Sequence, residues 1–594
     1  MALRWVILGN PENRRVRFFQ EALARKGQAP AEVIAWRAFL RAPEALGQML
    51  RPGDVLRVES PGEDFEVERE LLRWGREQTP AGSVRIDDPV GLTESRGRLL
   101  APAQWLAGWK GALASVRAEV PPGCVVLQDP DDVALLFDKA NCHALLQRCG
   151  LPVPRAIGPV ANYAQLRAAM RSARMPRVFV KLRGGSSASG VVALETQGDR
   201  IQATTSLEVV EEGGTLALFN SLRVRRYTDE REVARLFDTL SPEGVHVERW
   251  VPKSCVDGRA FDLRVLAVAG KPMHTVVRTS ESPMTNLHLG NARGDVRRIR
   301  ARMGEAAWVE AMATVAEVAD LFPRTLHLGV DVLLTAHRHM PVIAEVNAFG
   351  DLLPGVAVQG ENTYDAEIAA VLEGGFPRLN SIRAALFDLD NTLVDRDFAM
   401  REALRARAAE RGCDASTVDA AFVLHNEFGH RERRALCDAL VADAPQLAAS
   451  AEELEADLVA RLPTHVRPRP EILAALGTLR ARLRVAVVSN GGAALQRAKL
   501  HAAGLGALDA FISEEVGAEK PDPRLFQAAL AGSDVPAAQS FFIGDDLQRD
   551  ISGAAACGLR TCWLSRDRPN PSETRAEWIC RDLDAALARL ARWT

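Results

Sequence analysis

Two aspartates two residues apart, Asp388 and Asp390, close an apolar run in the segment AALFDLDNTLVD at 384–395. If that run is a strand, both carboxylates emerge at its carboxyl end, where open α/β sheets bind ligands. One carboxylate can then attack phosphorus to form an aspartyl phosphate, while the other acts as general acid and then base. Three more polar elements follow: Ser489-Asn490 after an apolar run, Lys520 in AEKPDP, and Asp545, Asp546 and Asp550 in FFIGDDLQRDISGA. A lone Asp-x-Asp is usually a loop acid pair. Four elements in this order, three of them at strand ends, form a set suited to phosphoryl chemistry.

A second set lies earlier. VFVKLRGGSSASGV at 178–191 carries Lys181 from a strand into a Gly/Ser loop ending at Gly190. Backbone N–H groups and hydroxyls of such a loop can approach phosphate oxygens closely. It can equally be a flexible connector, and it lacks the Gly-Lys-Ser/Thr ending of a P-loop. GVDVLL and VIAEVN, near 329–347, can pair as a hairpin across a polar turn. Glu345 and Asn347 would share one strand face with Asp331 opposite, three hard oxygen ligands that suit Mg²⁺. The alternative is a polar, solvated sheet face.

These residues need rigid supports, and 594 residues exceed a single hydrophobic core. The expected fold class is α/β multidomain. A strand at 4–9, a helical pattern from Arg14 to Lys26 and a strand at 55–60 predict a small α/β domain over 1–120. A second domain is expected over 121–375, with a helix from Asp138 through Cys149 and another at about 302–321. The polar stretch 376–382 reads as a linker. A further α/β domain follows over 383–594, with an all-helical insertion at about 397–470.

From about Asp138 to Gly355 the chain resembles the ATP-grasp fold, particularly its glutathione-synthetase/RimK-like branch. The resemblance implies that Lys139 and Lys181 bind nucleotide phosphates, and that Gly184, Gly185, Ser186, Ser187 and Gly190 fold over them. VERWV at 247–251 is similar to the hinge that grips adenine, with Glu248, Arg249, Trp250 and Val251; Asp257 is the candidate for the ribose. FDLRVLAVAGKP resembles the family's Asp-x-Arg strand, giving Asp262 and Arg264, and Arg278, Asn286 and His288 fall where acyl phosphate and substrate bind. Asp331, Glu345 and Asn347 match metal ligands. Residues 192–245 hold a hairpin-like stretch outside these motifs.

Over 383–594 the four carboxylate-rich elements resemble the motifs of the haloacid-dehalogenase superfamily. That resemblance implies Asp388 as nucleophile, Asp390 as acid/base, and Ser489 and Lys520 on the phosphoryl oxygens. Asp388, the Asp390 carbonyl and Asp545 would bind Mg²⁺, with Asp550 or Asp546 in support. Asp390 favours phosphate-ester hydrolysis over dehalogenation, and the helical insertion matches the family's cap.

The reading is a bifunctional enzyme: an ATP-dependent carboxylate–amine ligase acting through an acyl phosphate, fused to a small-molecule phosphatase. Its implied cofactors are ATP and Mg²⁺, with Mn²⁺ as a substitute. A kinase paired with a phosphatase, or one silent regulatory half, are the alternatives. With 74 Lys/Arg against 77 Asp/Glu, no broad footprint for nucleic acid or membrane exists. Nine cysteines without a CxxC pair imply neither a zinc site nor a disulfide framework. No basic leader or spanning run is visible, so a cytoplasmic location is expected. The histidines are not expected to cluster as ligands, Trp105 and Trp109 are expected to pack, and oligomeric state is not legible.

Overall fold

The computed structural model describes residues 3–185, 189–198, 200–212, 214–287, 290–349, 353–378, 382–569 and 574–594. It divides into two compact units, Met1–Gln147 with Leu151–Leu379, and Arg148–Gly150 with Asn380–Thr594. Among the described residues no helix is long and apolar enough to cross a membrane.

The first unit contains three main sheets. Trp5–Gly9, five consecutive buried residues, lies inside a parallel sheet in the order Glu32–Ala35, Trp5–Gly9, Val55–Val58, Val125–Val126. Continuous burial is what a parallel strand covered on both faces requires. The second sheet is antiparallel, in the order Ala156–Ile157, Val245–Arg249, Arg177–Leu182, Val191–Gln197, Arg200–Glu212, Thr215–Tyr227. The stretch left unassigned from sequence is therefore a long hairpin, followed by the helix Glu230–Leu240, which Asp229 caps. The third sheet is antiparallel along Ala292–Gly294, Lys271–Ser280, Arg259–Val268, His327–Leu334, Pro341–Asn347. Asp331 and Glu345 face each other across its last pair. The helix expected at about 302–321 is Glu305–Asp320; Gly304, at φ 84°, sets its start and separates it from a preceding helix, Val296–Met303.

The second unit is a parallel sheet in the order Asp509–Ile512, Arg484–Ser489, Ala384–Phe387, Ser540–Gly544, Arg560–Leu564, Trp578–Cys580. Between Ala384–Phe387 and Arg484–Ser489 come five α-helices, Arg396–Arg411, Ala415–His425, Arg433–Asp443, Ala451–His465 and Pro470–Arg480. Leu404, Leu436, Leu440, Leu454 and Leu458 are buried and join them to the sheet's core. Of the expected linker, 379–381 lies outside the described residues.

The first unit also buries charge. Arg57, 1% exposed, reaches Glu59 at 3.1 Å and Glu367 at 2.5 Å, and its guanidinium lies 4.4 Å from the Phe19 ring centroid. Burial opposes its charge, but Glu367 and Glu59 outweigh that and raise its pKa. Arg57→Ala leaves two buried carboxylates without this cation and should cost about 3–5 kcal/mol. Denaturant unfolding of the variant checks this; an unchanged midpoint would contradict it.

Candidate functional site

Three neighbouring parallel strands of the second unit end at one place. Ser489 is the last residue of its strand, while Asp388 and Asp545 each follow the last residue of theirs. Asp550 comes from the turn Leu547–Ser552 and approaches so closely that a Cβ on Gly544 would sit 2.3 Å from its Oδ2. Carboxylate oxygens of Asp388, Asp545 and Asp550 lie within 4.8 Å of one another, and all three residues are buried. Lys520 Nζ donates to Asp388 Oδ1 at 2.6 Å and to Asp550 Oδ1 at 2.7 Å. Asn490 fixes the backbone of Lys520, accepting from its N–H at 2.8 Å and donating to its carbonyl at 3.1 Å.

The charges follow from this crowding. Burial, with repulsion from Asp550 and Asp545, raises the Asp388 carboxyl well above its usual range despite Lys520. Burial and Asp550 push Asp545 up to about 6. Burial disfavours the Lys520 ammonium, but Asp388 and Asp550 hold its proton more strongly and raise its pKa. The three carboxylates, with Lys520 between Asp388 and Asp550 and Arg566 3.4 Å from Asp545, converge hard oxygens in a donor set that fits Mg²⁺.

Asp390 is turned to a different partner. Lys499 Nζ lies 2.8 Å from each of its carboxylate oxygens, and Gln496 Nε2 donates to it at 3.0 Å. Burial raises the Asp390 pKa, but Lys499 and Arg396 outweigh it and bring the carboxyl down to about 2. Gln496 also donates to Ser489 Oγ at 2.8 Å. Of the two acids expected in support, Asp550 stands with Asp388 and Asp545; the Asp390 carboxylate is occupied by Lys499, which leaves the expected metal role to its backbone carbonyl. Asp546 is not a member, because it caps the Leu547 turn and sits 3.1 Å from His430. Lys499 and Gln496 were missed by sequence reasoning. Their signal was two polar residues at i and i+3 on the buried face of Ala493–Ala502, beside Leu495 and Leu500.

A cavity of about 210 Å³ opens above these groups, lined also by Arg396 and by the segment Gly429–Arg433 of the helical insertion.

In the first unit, a cavity of about 350 Å³ brings together Lys139, Gly185, Arg264, Arg278, Asn286, Asp331, Glu345 and Asn347. Asp331 is held by Arg264 at 2.5 Å and Arg278 at 3.1 Å, and Glu345 by Lys139 at 3.0 Å. Burial opposes the Glu345 charge, but Lys139, Lys181 and Arg264 bring its pKa down to about 2. Asn347 donates to the Gly329 carbonyl at 3.3 Å. The hairpin residues expected as metal ligands thus already carry partners from their own unit. Asp262 binds Arg278 at 2.7 Å and Lys253 at 3.0 Å. Lys181 points the other way, 2.6 Å from Glu248, in a cavity of about 20 Å³ that shares Lys139 and Glu345.

Arg249, Trp250 and Val251 line neither cavity. Arg249 is exposed at the end of its strand, and Trp250 packs against Phe179. Asp257 is paired with Arg298 at the surface. Gly184 and Gly190 hem in the loop, where a Cβ on Gly190 would strike Leu182; Ser186, Ser187 and His288 lie outside the described residues. Trp105 and Trp109 do pack, with centroids 6.2 Å apart. Contrary to expectation, His143, His246 and Glu248 draw together within 4.8 Å. The Lys181 ammonium already supplies that group with a cation.

Residues 382–558 match the family model described as haloacid dehalogenase-like hydrolase. Over 210 residues the chain is 30% identical to a glyceraldehyde 3-phosphate phosphatase of Methanopyrus kandleri, covering 33% of this chain and 88% of that protein. The chain belongs to the haloacid dehalogenase-like hydrolases through its second unit. It is also 41% identical over 118 residues to a phosphoserine phosphatase of Thermus thermophilus, covering 19% of this chain and 47% of that protein. Against the pyrimidine 5'-nucleotidase YjjG of Escherichia coli it is 34% identical over 122 residues, covering 20% and 53%. The chain spans about half the length of these last two relatives.

The carboxylate crowding of this hydrolase unit has a consequence for stability. Asp545 has a folded pKa raised to about 6, above the ordinary aspartate value of about 3.9. Its contribution in metal-free protein is therefore full below pH about 4 and is lost as pH rises through about 6. In EDTA, wild type should lose on the order of 2 kcal/mol relative to Asp545→Asn between those limits. Chemical unfolding at a series of pH values measures the difference; parallel curves for the two proteins would refute it.

Proposed function

We propose that the second unit hydrolyses small phosphate monoesters through an aspartyl phosphate on Asp388. The placement of Lys520 between Asp388 and Asp550 carries this reading: it aims a nucleophilic oxygen and a phosphate-binding ammonium at one point. An Asp388 oxygen attacks phosphorus, the ester P–O bond breaks, and the leaving oxygen takes a proton. Lys499 holds Asp390 ionised, so that proton belongs to the Lys499–Asp390 pair rather than to Asp390 alone. Water then attacks phosphorus, the Asp388 O–P bond breaks to release inorganic phosphate, and the Lys499–Asp390 pair takes back a proton from the water. Mg²⁺ held by Asp388, Asp545 and Asp550 would offset charge on the phosphoryl oxygens. The names of the relatives, two phosphatases and a nucleotidase, support the same class.

For the first unit we propose the ATP-grasp reading: an ATP-dependent carboxylate–amine ligase. Its support is the cavity where Lys139, Arg264 and Arg278 meet Asp331, Glu345 and Asn347, a mixture of cations and oxygen ligands suited to a metal–triphosphate. Lys139 and Glu345, which now hold each other, would be the phosphate-binding cation and the metal-binding anion.

Asp388→Asn should lower phosphate-ester turnover by roughly 10³-fold or more, since an amide cannot attack phosphorus. Steady-state release of inorganic phosphate reads this, and wild-type rates would refute the assignment. Glu345→Gln should lower ATP-dependent ADP formation by roughly 10²-fold, the scale of one lost electrostatic stabiliser. Hydrolysis of phosphate esters should persist in that variant. Full ATP turnover, or loss of both activities together, would contradict the two-site reading.

A further inference from the structure

Some cations in the second unit's cavity are left over once the phosphoryl chemistry is accounted for. Arg396, Arg431 and Arg433 all line it. Arg396, 7% exposed, donates to the Gly429 carbonyl at 2.9 Å and has Asp397 only at 3.7 Å. Arg431 has Glu427 at 3.7 Å. Arg433 makes no hydrogen bond or ion pair among the described residues, and its buried Nε has no acceptor.

The acids beside them are already engaged. Glu432 gives its two oxygens to the backbone N–H groups of Arg434 and Ala435, capping its helix. Asp546 is taken by His430 and its own turn, Asp390 by Lys499, Asp388 and Asp550 by Lys520, and Asp545 by Arg566 at 3.4 Å. Charge available to a ligand on this side is therefore positive. A guanidinium with a buried, unmatched N–H is costly to keep unless an acceptor completes it. Arg396 and Arg433 share the lining of this cavity with Asp390, so they face the side from which a leaving group departs. The cavity, about 210 Å³, is below the roughly 300 Å³ of drug-sized sites, so the leaving group is small.

We propose that the phosphate ester hydrolysed here carries a second anionic group on its leaving-group end, and that Arg433, with Arg396 and Arg431, binds it. Charge-assisted hydrogen bonds from arginine serve a carboxylate or a second phosphate alike. This rests on the phosphatase reading given above.

Three esters built on the same two-carbon unit separate the cases: phosphoglycolate, ethylene glycol bisphosphate and neutral-ended ethylene glycol monophosphate. With full-length protein and Mg²⁺, kcat/KM for one or both doubly anionic esters should exceed that for the monophosphate by about tenfold or more. Which of the two is preferred identifies the second group as carboxylate or phosphate. Arg433→Met should shrink that ratio toward one, and Arg433→Lys should recover part of it. Equal kcat/KM for all three esters in wild type, or a preference untouched by Arg433→Met, overturns the proposal. If para-nitrophenyl phosphate is hydrolysed without such a preference, the proposal fails alone. If neither it nor any of the three esters is hydrolysed, the phosphatase reading fails and the proposal falls with it.

Discussion

Three buried carboxylates cannot all be charged within a few ångströms of one another unless a cation stands among them. Lys520 meets that need for Asp388 and Asp550, and it is itself kept protonated only by those acids. Much of the second unit's local geometry serves this arrangement. Asn490 clamps the Lys520 backbone from the next strand end, and Gly544 stays small so that Asp550 can come close. Parallel strands buried on both faces supply the rigidity, because side chains in a close-packed core cannot shift to relieve the repulsion.

The first unit meets the same constraint with complete pairs. Asp331 and Asp262 share Arg278, while Arg264 takes the other side of Asp331 and Lys139 takes Glu345. Such pairs hold a polar cavity open at little stability gain, since desolvation offsets most of the attraction. They also give a charged ligand partners already aimed, because each ion can exchange its neighbour for a ligand group of the same sign. In the second unit the balance is incomplete in both directions. Burial, with repulsion among the strand-end carboxylates, still holds Asp388 and Asp545 above their usual pKa range, and an arginine whose buried Nε has no acceptor stands on the helical insertion.

Strand-end chemistry was legible because period and position carry it. Asp388, Ser489 and Asp545 each close a continuous apolar run, and such runs are strands whose carboxyl ends share one edge of a parallel sheet. The Asp331–Glu345 register was legible for a similar reason, as a short polar turn between two apolar runs brings i and i+2 positions face to face. The helix at about 302–321 was legible as Glu305–Asp320, but its start and the separate helix Val296–Met303 before it were not, because Gly304 turns the backbone without marking the apolar pattern.

Pairing among distant side chains was not legible. Lys499 and Gln496 read as ordinary members of a helix until the fold sets that helix's buried face against Asp390. Asp546 and Asp550 are interchangeable in the sequence; the turn at 547–552 swings Asp550 inward and spends Asp546 on a cap. His143 lies far in sequence from His246 and Glu248, and the pairing of Val245–Arg249 with Arg177–Leu182 brings Lys181 to them. By itself the sequence determined which residues sit at strand ends, because local periodicity decides that. Only the tertiary structure decided which charge answers which, because electrostatic partners are chosen by distance through space.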